Sequence, residues 1–225
     1  MAKAVEKKKN NTQVEHLTIP PPRFQVAQFQ IIGTAPLVLN KFSQKAKAKM
    51  RADQEAGSTK KKGAKKEAKD FQSAYLDAMY VSSDGWHGIP ATAFRNACVS
   101  ACRMCGFKMT HAKLSIFIEA DGVNEDDATA LVKITKGKPE YFETAVRNAS
   151  GVCDLRPRPM WRPGWEAKVR IRFDADQFTL PDVANLLLRA GMQVGVGEGR
   201  PDSRQGCGMG WGVFRISEKD LEAVV

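Results

Sequence analysis

At 225 residues, 43% hydrophobic and 27% charged, the chain is long enough for one large domain or two small ones and can bury a sizeable core. No apolar run approaches the roughly 20 residues of a membrane span, and the N-terminal lysine-rich stretch has no apolar core of a signal peptide, so a cytoplasmic protein is expected. The five cysteines, odd in number and scattered, argue against a disulfide framework.

The net charge of +10 is unevenly placed. Residues 1–10 hold four lysines against Glu6, and residues 41–69 hold eleven Lys/Arg against Asp53, Glu55 and Glu67, so the rest of the chain is near neutral. Residues 1–22 therefore read as a basic flexible arm and residues 23–225 as a single domain with a lysine-rich insertion at about 41–80. Mobile basic tracts suit a polyanion, although a solvated insertion without a partner has the same composition.

In chain order, residues 23–32 alternate apolar and polar and predict a strand that Gly33 ends. Residues 43–69 have no apolar face and predict a protruding, partly disordered insertion. Residues 70–80 regain a helical stripe through Phe71, Ala74, Tyr75, Ala78 and Met79. Residues 86–90 are extended by Pro90, and a helix follows over 91–105 with Phe94, Ala97, Cys98, Ala101, Cys102 and Cys105 on one face. Residues 114–119 and 131–135 predict strands, and residues 148–162, with Arg156, Arg158, Met160, Trp161 and Arg162, read as irregular.

Residues 165–173 alternate cleanly, with Trp165, Ala167, Val169, Ile171 and Phe173 inward. A helix over 180–190 has proline near its start and Gly191 at its end. A glycine-crowded segment at 195–212 then precedes a last strand at 213–216, and the tail from Ser217 can form a short helix. Strand, helix, strand occurring twice predicts an α+β, ferredoxin-like (RRM-like) antiparallel sheet with helices on one face.

The cysteines at 98, 102 and 105 have C-x3-C-x2-C spacing, but on a helix this stripe reads as buried thiols filling a helix–sheet contact, and no metal is assigned. The glycine segment lacks the Gly-Lys-Ser/Thr ending of a phosphate loop and precedes a strand, and it does not fit a dinucleotide fingerprint, so no cofactor is expected. His16, His87 and His111 are the only histidines, and no serine or cysteine nucleophile is recognisably paired with one.

Three tracts carry the physical case for nucleic acid. They are the lysine insertion (Lys60, Lys61, Lys62, Lys65, Lys66), the segment with Arg158 and Trp161, and the glycine loop with Arg200 and Arg204. Lysines attract phosphates, and Trp161 is either a base-stacking ring or a core tryptophan. Gly197, Gly199, Gly206, Gly208 and Gly210 would let a ligand approach the backbone, or form a flexible loop.

Residues 88–103 resemble the Ile-Pro-Gly-Ser-Ser-Leu-Arg-Gly-Ala-Leu-Arg type of helix start in the repeat-associated mysterious protein (RAMP) superfamily, especially CRISPR effector backbone subunits. The glycine run before the last strand is similar to that superfamily's C-terminal glycine-rich loop. The resemblance implies a ferredoxin-like core with an inserted thumb at about 41–80, copies stacked along a guide RNA, and an RNA-backbone groove lined by the helix start with Thr92 and Arg95 and by the glycine loop.

The expected function is thus a non-enzymatic single-strand nucleic-acid-binding subunit that coats a guide RNA as an oligomer with other effector subunits. The alternatives are a phage-type single-stranded DNA-binding or annealing protein, and a RAMP-type endoribonuclease using His87 or Asp84.

Overall fold

The computed structural model describes residues 19–55, 57, 68–147, 151, 153–203 and 208–223. The first half of the chain gives β1 (Phe24–Gly33), β2 (Leu37–Val38), α1 (Gln44–Glu55), α2 (Phe71–Asp77), β3 (Gly88–Pro90), α3 (Ala91–Cys105), α4 (Met109–Ser115) and β4 (Ile116–Glu119). The second gives β5 (Gly122–Val123), β6 (Ala130–Lys136), β7 (Glu140–Arg147), β8 (Cys153–Trp161), β9 (Glu166–Asp174), α5 (Leu180–Arg189), β10 (Phe214–Ile216) and α6 (Glu218–Glu222). A π-helical turn, Ala190–Val194, extends α5.

β1, β4, β9 and β10 are the four strands of a β-α-β-β-α-β unit, with α3 between the first two and α5 between the last two. β10 lies beside β1, β1 beside β9, and β9 beside β4, all antiparallel. The fold is therefore α+β with ferredoxin-like topology. The far edge of β9 is shared with β6, through which β3 and β5 join the same sheet.

Alternation decides which face is covered. Ala27, Phe29 and Ile31 of β1 and Ala167, Val169, Ile171 and Phe173 of β9 are buried, while the residues between them point the other way. α3 and α5 cover the buried face. α3 presents Phe94, Ala97, Cys98, Val99, Ala101 and Cys102, and its small side chains let the helix sit close to the sheet while Phe94 meets Phe214 edge to face at 5.8 Å. α5 starts with a reciprocal cap between Thr179 and Asp182 and buries Val183, Ala184, Leu186 and Leu187.

Four expectations need correction. Within the stretch 148–162, residues 153–161 are not irregular, because β7 and β8 pair from Glu140↔Met160 to Arg147↔Cys153 and, with β2, form a second three-stranded sheet. Pro157 and Pro159 break the sequence pattern but not this ladder. The Pro159 carbonyl accepts from Leu39 on the β2 side, so its missing N–H, and that of Pro157 two residues earlier, face away from β7. The strand expected from residue 114 begins at Ile116, because residues 109–115 form the separate short helix α4, leaving Leu114 exposed. The helix expected over 70–80 spans Phe71–Asp77, capped by Asp70 accepting from the Ser73 N–H. Cys105, placed on the buried stripe, is exposed at the C-terminal end of α3.

The Cys98 and Cys102 thiols are buried as expected, and burial pushes the Cys98 thiol up to about 12. No described helix is long and apolar enough to cross a membrane.

Within the expected insertion, α1 has no buried residue and is held instead by charge. Lys41 pairs with Asp126 at the root of α1, and Lys47 lies 3.1 Å from Asp127. α2 packs on the second sheet through Tyr75, whose ring is 5.2 Å from that of Tyr141.

Burial alone would raise the Asp127 carboxyl, but hydrogen bonds from Thr129, Asn124 and Lys47 outweigh it and hold the group well below the usual carboxylate range. A depressed folded value contributes stability that is complete above the ordinary carboxylate value of about 4 and is lost as pH falls toward the folded value. Asp127→Asn should therefore lower stability at pH 7 by about 1–2 kcal/mol and flatten the acid limb of a stability–pH profile below about pH 4, as followed by urea denaturation.

Candidate nucleic-acid interface

The two segments that the sequence paired are brought together. The start of α3 and the glycine loop line opposite walls of an open groove of about 800 Å³. On one wall are Ile89, Pro90, Thr92 and Asn96, and on the other Gly197, Gly199 and Arg200.

Local sequence builds the first wall. β3 ends at Pro90, which takes the cap position of α3 and supplies no side-chain acceptor to the first turn. The helix thus presents uncapped N–H groups and the positive end of its dipole beside the groove. Thr92 is exposed there, with its hydroxyl available.

The second wall is stitched to the core by its backbone. The Val196 N–H donates to Gly212 at 3.0 Å, the Glu198 N–H to Val38 at 2.8 Å and the Gly212 N–H to Pro36 at 2.7 Å. The intervening Gly197 and Gly199 N–H groups find no acceptor among the described residues. Arg200 folds back to donate to the Gly197 carbonyl at 3.0 Å, which fixes its charge at this rim.

Glycine serves the protein's own packing here more than ligand approach. Gly197 has φ +82°, and a Cβ on it would lie 2.5 Å from the Val38 carbonyl oxygen. Gly212, at φ +67°, would place a Cβ 1.7 Å from the Val196 carbonyl oxygen. The flexible-loop alternative does not hold for residues 195–199, which are held by these contacts.

The charges of the groove are arranged in pairs. Glu198 is 2.6 Å from Arg158, and Asp202 is 2.6 Å from Arg103 and hydrogen-bonded to the Ser100 hydroxyl. That hydroxyl, followed by Arg103, holds the Asp202 carboxyl below its usual range although burial opposes it. Both acidic groups of the lining are thereby neutralised, and the cations that line the groove are Lys113, Arg200 and Arg156, the last 3.4 Å from Asp154, a carboxylate it shares with Lys69.

Several expected site residues lie elsewhere. Trp161 is fully buried between the two sheets and is not available to stack on a base; the core reading of this residue holds. Arg158 is buried against Glu198 instead of reaching a phosphate, so its role is to neutralise the groove's own carboxylate. Arg95 is not in the groove lining: its guanidinium donates to the carbonyls of Ile116, at 2.9 Å, and Lys113, and lies over Phe117. Gly208 packs its Cα against Arg200 and Pro201, and Gly210 faces open space. Lys60, Lys61, Lys62, Lys65, Lys66, Arg204 and Gly206 lie outside the described residues.

Sequence reasoning missed Lys113 as a groove residue and preferred Arg158 to Arg156. Arg156 and Arg158 share one strand face and both have an acidic partner, Asp154 at 3.4 Å and Glu198 at 2.6 Å, and no sequence signal tells which of the two lines the groove. His87 does not line the groove; it packs edge to face on Trp161 at 5.8 Å, and burial lowers its pKa. Among the described residues, no group of three or more His, Cys, Asp and Glu is placed to hold a metal ion.

No family model matches the sequence, and no curated protein matches it. Among solved structures, one chain of the cryo-EM structure of the Type III-B Cmr-beta bound to cognate target RNA is similar, at 10% identity and a TM-score of 0.49. The match covers 87% of this protein and 59% of that chain, so the protein spans less than two-thirds of its length.

Replacing Gly212 by Ala should cost at least about 3 kcal/mol, seen as a fall in Tm of roughly 6–12 °C, since a strained φ and a carbonyl clash combine. Gly210→Ala, with the same sign of φ but open space, should cost only about 1 kcal/mol, or roughly 2–4 °C. Equal effects in a thermal melt would contradict the packing role of Gly212.

Proposed function

We propose that the protein is a non-enzymatic, single-strand nucleic-acid-binding subunit whose ligand backbone runs through the groove between the start of α3 and the glycine loop. The observation that carries this reading is the convergence of uncapped helix amides, unpaired loop amides and the cations Lys113, Arg156 and Arg200 on one groove whose two carboxylates are already neutralised. Such a surface attracts phosphates without reading base edges, and a strand lying along it meets donors from both walls. Its open shape favours binding over turnover, because a polymer can enter from the side.

The resemblance of residues 88–103 and 195–212 to the RAMP superfamily supports the finer reading. In it the strand is a guide RNA, copies of the protein coat it as a helical oligomer, and other effector subunits join the assembly in the cytoplasm. The basic helix α1, anchored at Lys41 and Lys47, is the base of the thumb in this reading.

Fluorescence anisotropy with single-stranded RNA and DNA of the same sequence tests it across a salt series. Binding should weaken as salt rises, and the combined Lys113→Ala, Arg156→Ala and Arg200→Ala variant should reduce the log–log salt slope by about 2, near 0.7 for each phosphate that is no longer neutralised. Tighter binding to RNA would favour the guide-RNA reading, since only RNA offers a 2′-hydroxyl. Absence of salt-sensitive binding to either polymer, or a triple variant with an unchanged slope, refutes the proposal.

A further inference from the structure

The face of the sheet opposite α3 and α5 is uncovered among the described residues. Phe24 of β1 is 40% exposed and Val26 is 54% exposed, both on the outward side of the strand. Phe24 and Phe117 meet edge to face at 5.8 Å across this surface. Arg172 of β9 lies between them, its guanidinium 4.9 Å from the Phe24 ring centre and 4.8 Å from that of Phe117.

A soluble protein gains nothing from leaving aromatic rings and branched aliphatics on a bare strand face, where burial would be favourable. The charge of the face names its partner. Arg170 is engaged by Glu119 and Asp121 and by the Ala120 carbonyl, whereas Arg172 and Lys168 have no acidic partner among the described residues. On the outward side of β9, Arg172 stands beside the two rings, Lys168 lies four residues along the strand and Asp174 lies opposite Phe24, and the cations together with the rings suit a polyanion that also carries flat, stackable groups.

This face is also continuous with the groove. Lys113 lines the groove, its carbonyl accepts from Arg95, and the Arg95 guanidinium lies 5.1 Å over the Phe117 ring. Arg95, which the groove itself does not use, therefore bridges from the groove to the edge strand β4.

We infer that the uncovered face around Phe24, Phe117 and Arg172 is a second contact for single-stranded nucleic acid, reached by a strand that leaves the groove past Lys113 and Arg95. Bases stack on the open side of the Phe24 ring, Arg172 between the two rings meets a phosphate, and Lys168, four residues along β9, meets the backbone further on. This rests on the reading that the groove binds a single strand. It adds the direction of exit and a stacking surface, on the side of the sheet away from the helices.

Oligouridylates from about 4 to about 16 nucleotides provide the test, a range that spans known single-strand site sizes. Wild-type affinity should step upward once the oligomer is long enough to leave the groove. The combined Phe24→Leu, Phe117→Leu and Arg172→Gln variant keeps apolar bulk but removes the rings and the charge between them. It should bind the longest oligomers about tenfold more weakly and the shortest as well as wild type. The Lys113→Ala, Arg156→Ala and Arg200→Ala variant should weaken binding at every length.

A stacking variant that matches wild type at all lengths overturns the inference and leaves the groove reading standing. Loss of self-association without loss of long-oligomer affinity also overturns it, making the face a contact between copies. Wild-type protein that binds no oligomer of any length overturns both. Ultraviolet cross-linking of the unmodified protein gives an answer independent of folding: uridine adducts on the peptides containing Phe24 or Phe117 are expected, and adducts confined to groove peptides would refute the inference.

Discussion

Gly212 and the Val196 carbonyl lie so close that a single methyl group on the glycine would fall 1.7 Å from the oxygen. That approach, with the Val196 N–H donating back to the Gly212 carbonyl, ties the end of α5 to the start of β10. The same stretch is pinned to the β1–β2 connection through the Pro36 carbonyl and to β2 through the Val38 carbonyl. The loop therefore cannot collapse into the space in front of α3. The groove exists because the protein's backbones pack without side chains between them.

Electrostatics then determine what that space can hold. A groove with Glu198 and Asp202 in its wall would repel phosphate if those charges stood alone. Arg158 and Arg103 cancel them from behind, and the cost of half-burying each carboxylate is offset by a charge-assisted hydrogen bond. Lys113, Arg156 and Arg200 are left to set the sign of the potential. Arg158 shows how an arginine can set the charge of a groove that it does not line.

The parts legible in the sequence were those with one dominant period. Residues 91–105 alternate small and apolar groups at helical spacing, and the helix has those bounds. Residues 165–173 alternate strictly, and their inward set is the buried set. The pairing of the α3 start with the glycine loop came from the family resemblance of residues 88–103 and 195–212 and not from any period or spacing. Residues 140–161 were not legible, because prolines at 157 and 159 argue against a strand unless one knows that their imide nitrogens face the short β2 edge. Trp161 and Arg158 could not be placed for the same reason: a residue's face is undefined until its strand is known. The pair of exposed Phe24 and half-buried Phe117 was hidden by distance in sequence, since only the β1–β9–β4 order brings the two rings together.

Where a single strand lies on the protein is the central claim. Hydrogen exchange of the full chain, with and without saturating single-stranded RNA, reports this at the backbone amides themselves. The account predicts slowed exchange at the first turn of α3, residues 91–94, and in the glycine loop at residues 197–200. Slowing confined to other segments, or none at either wall while RNA is bound, would contradict it.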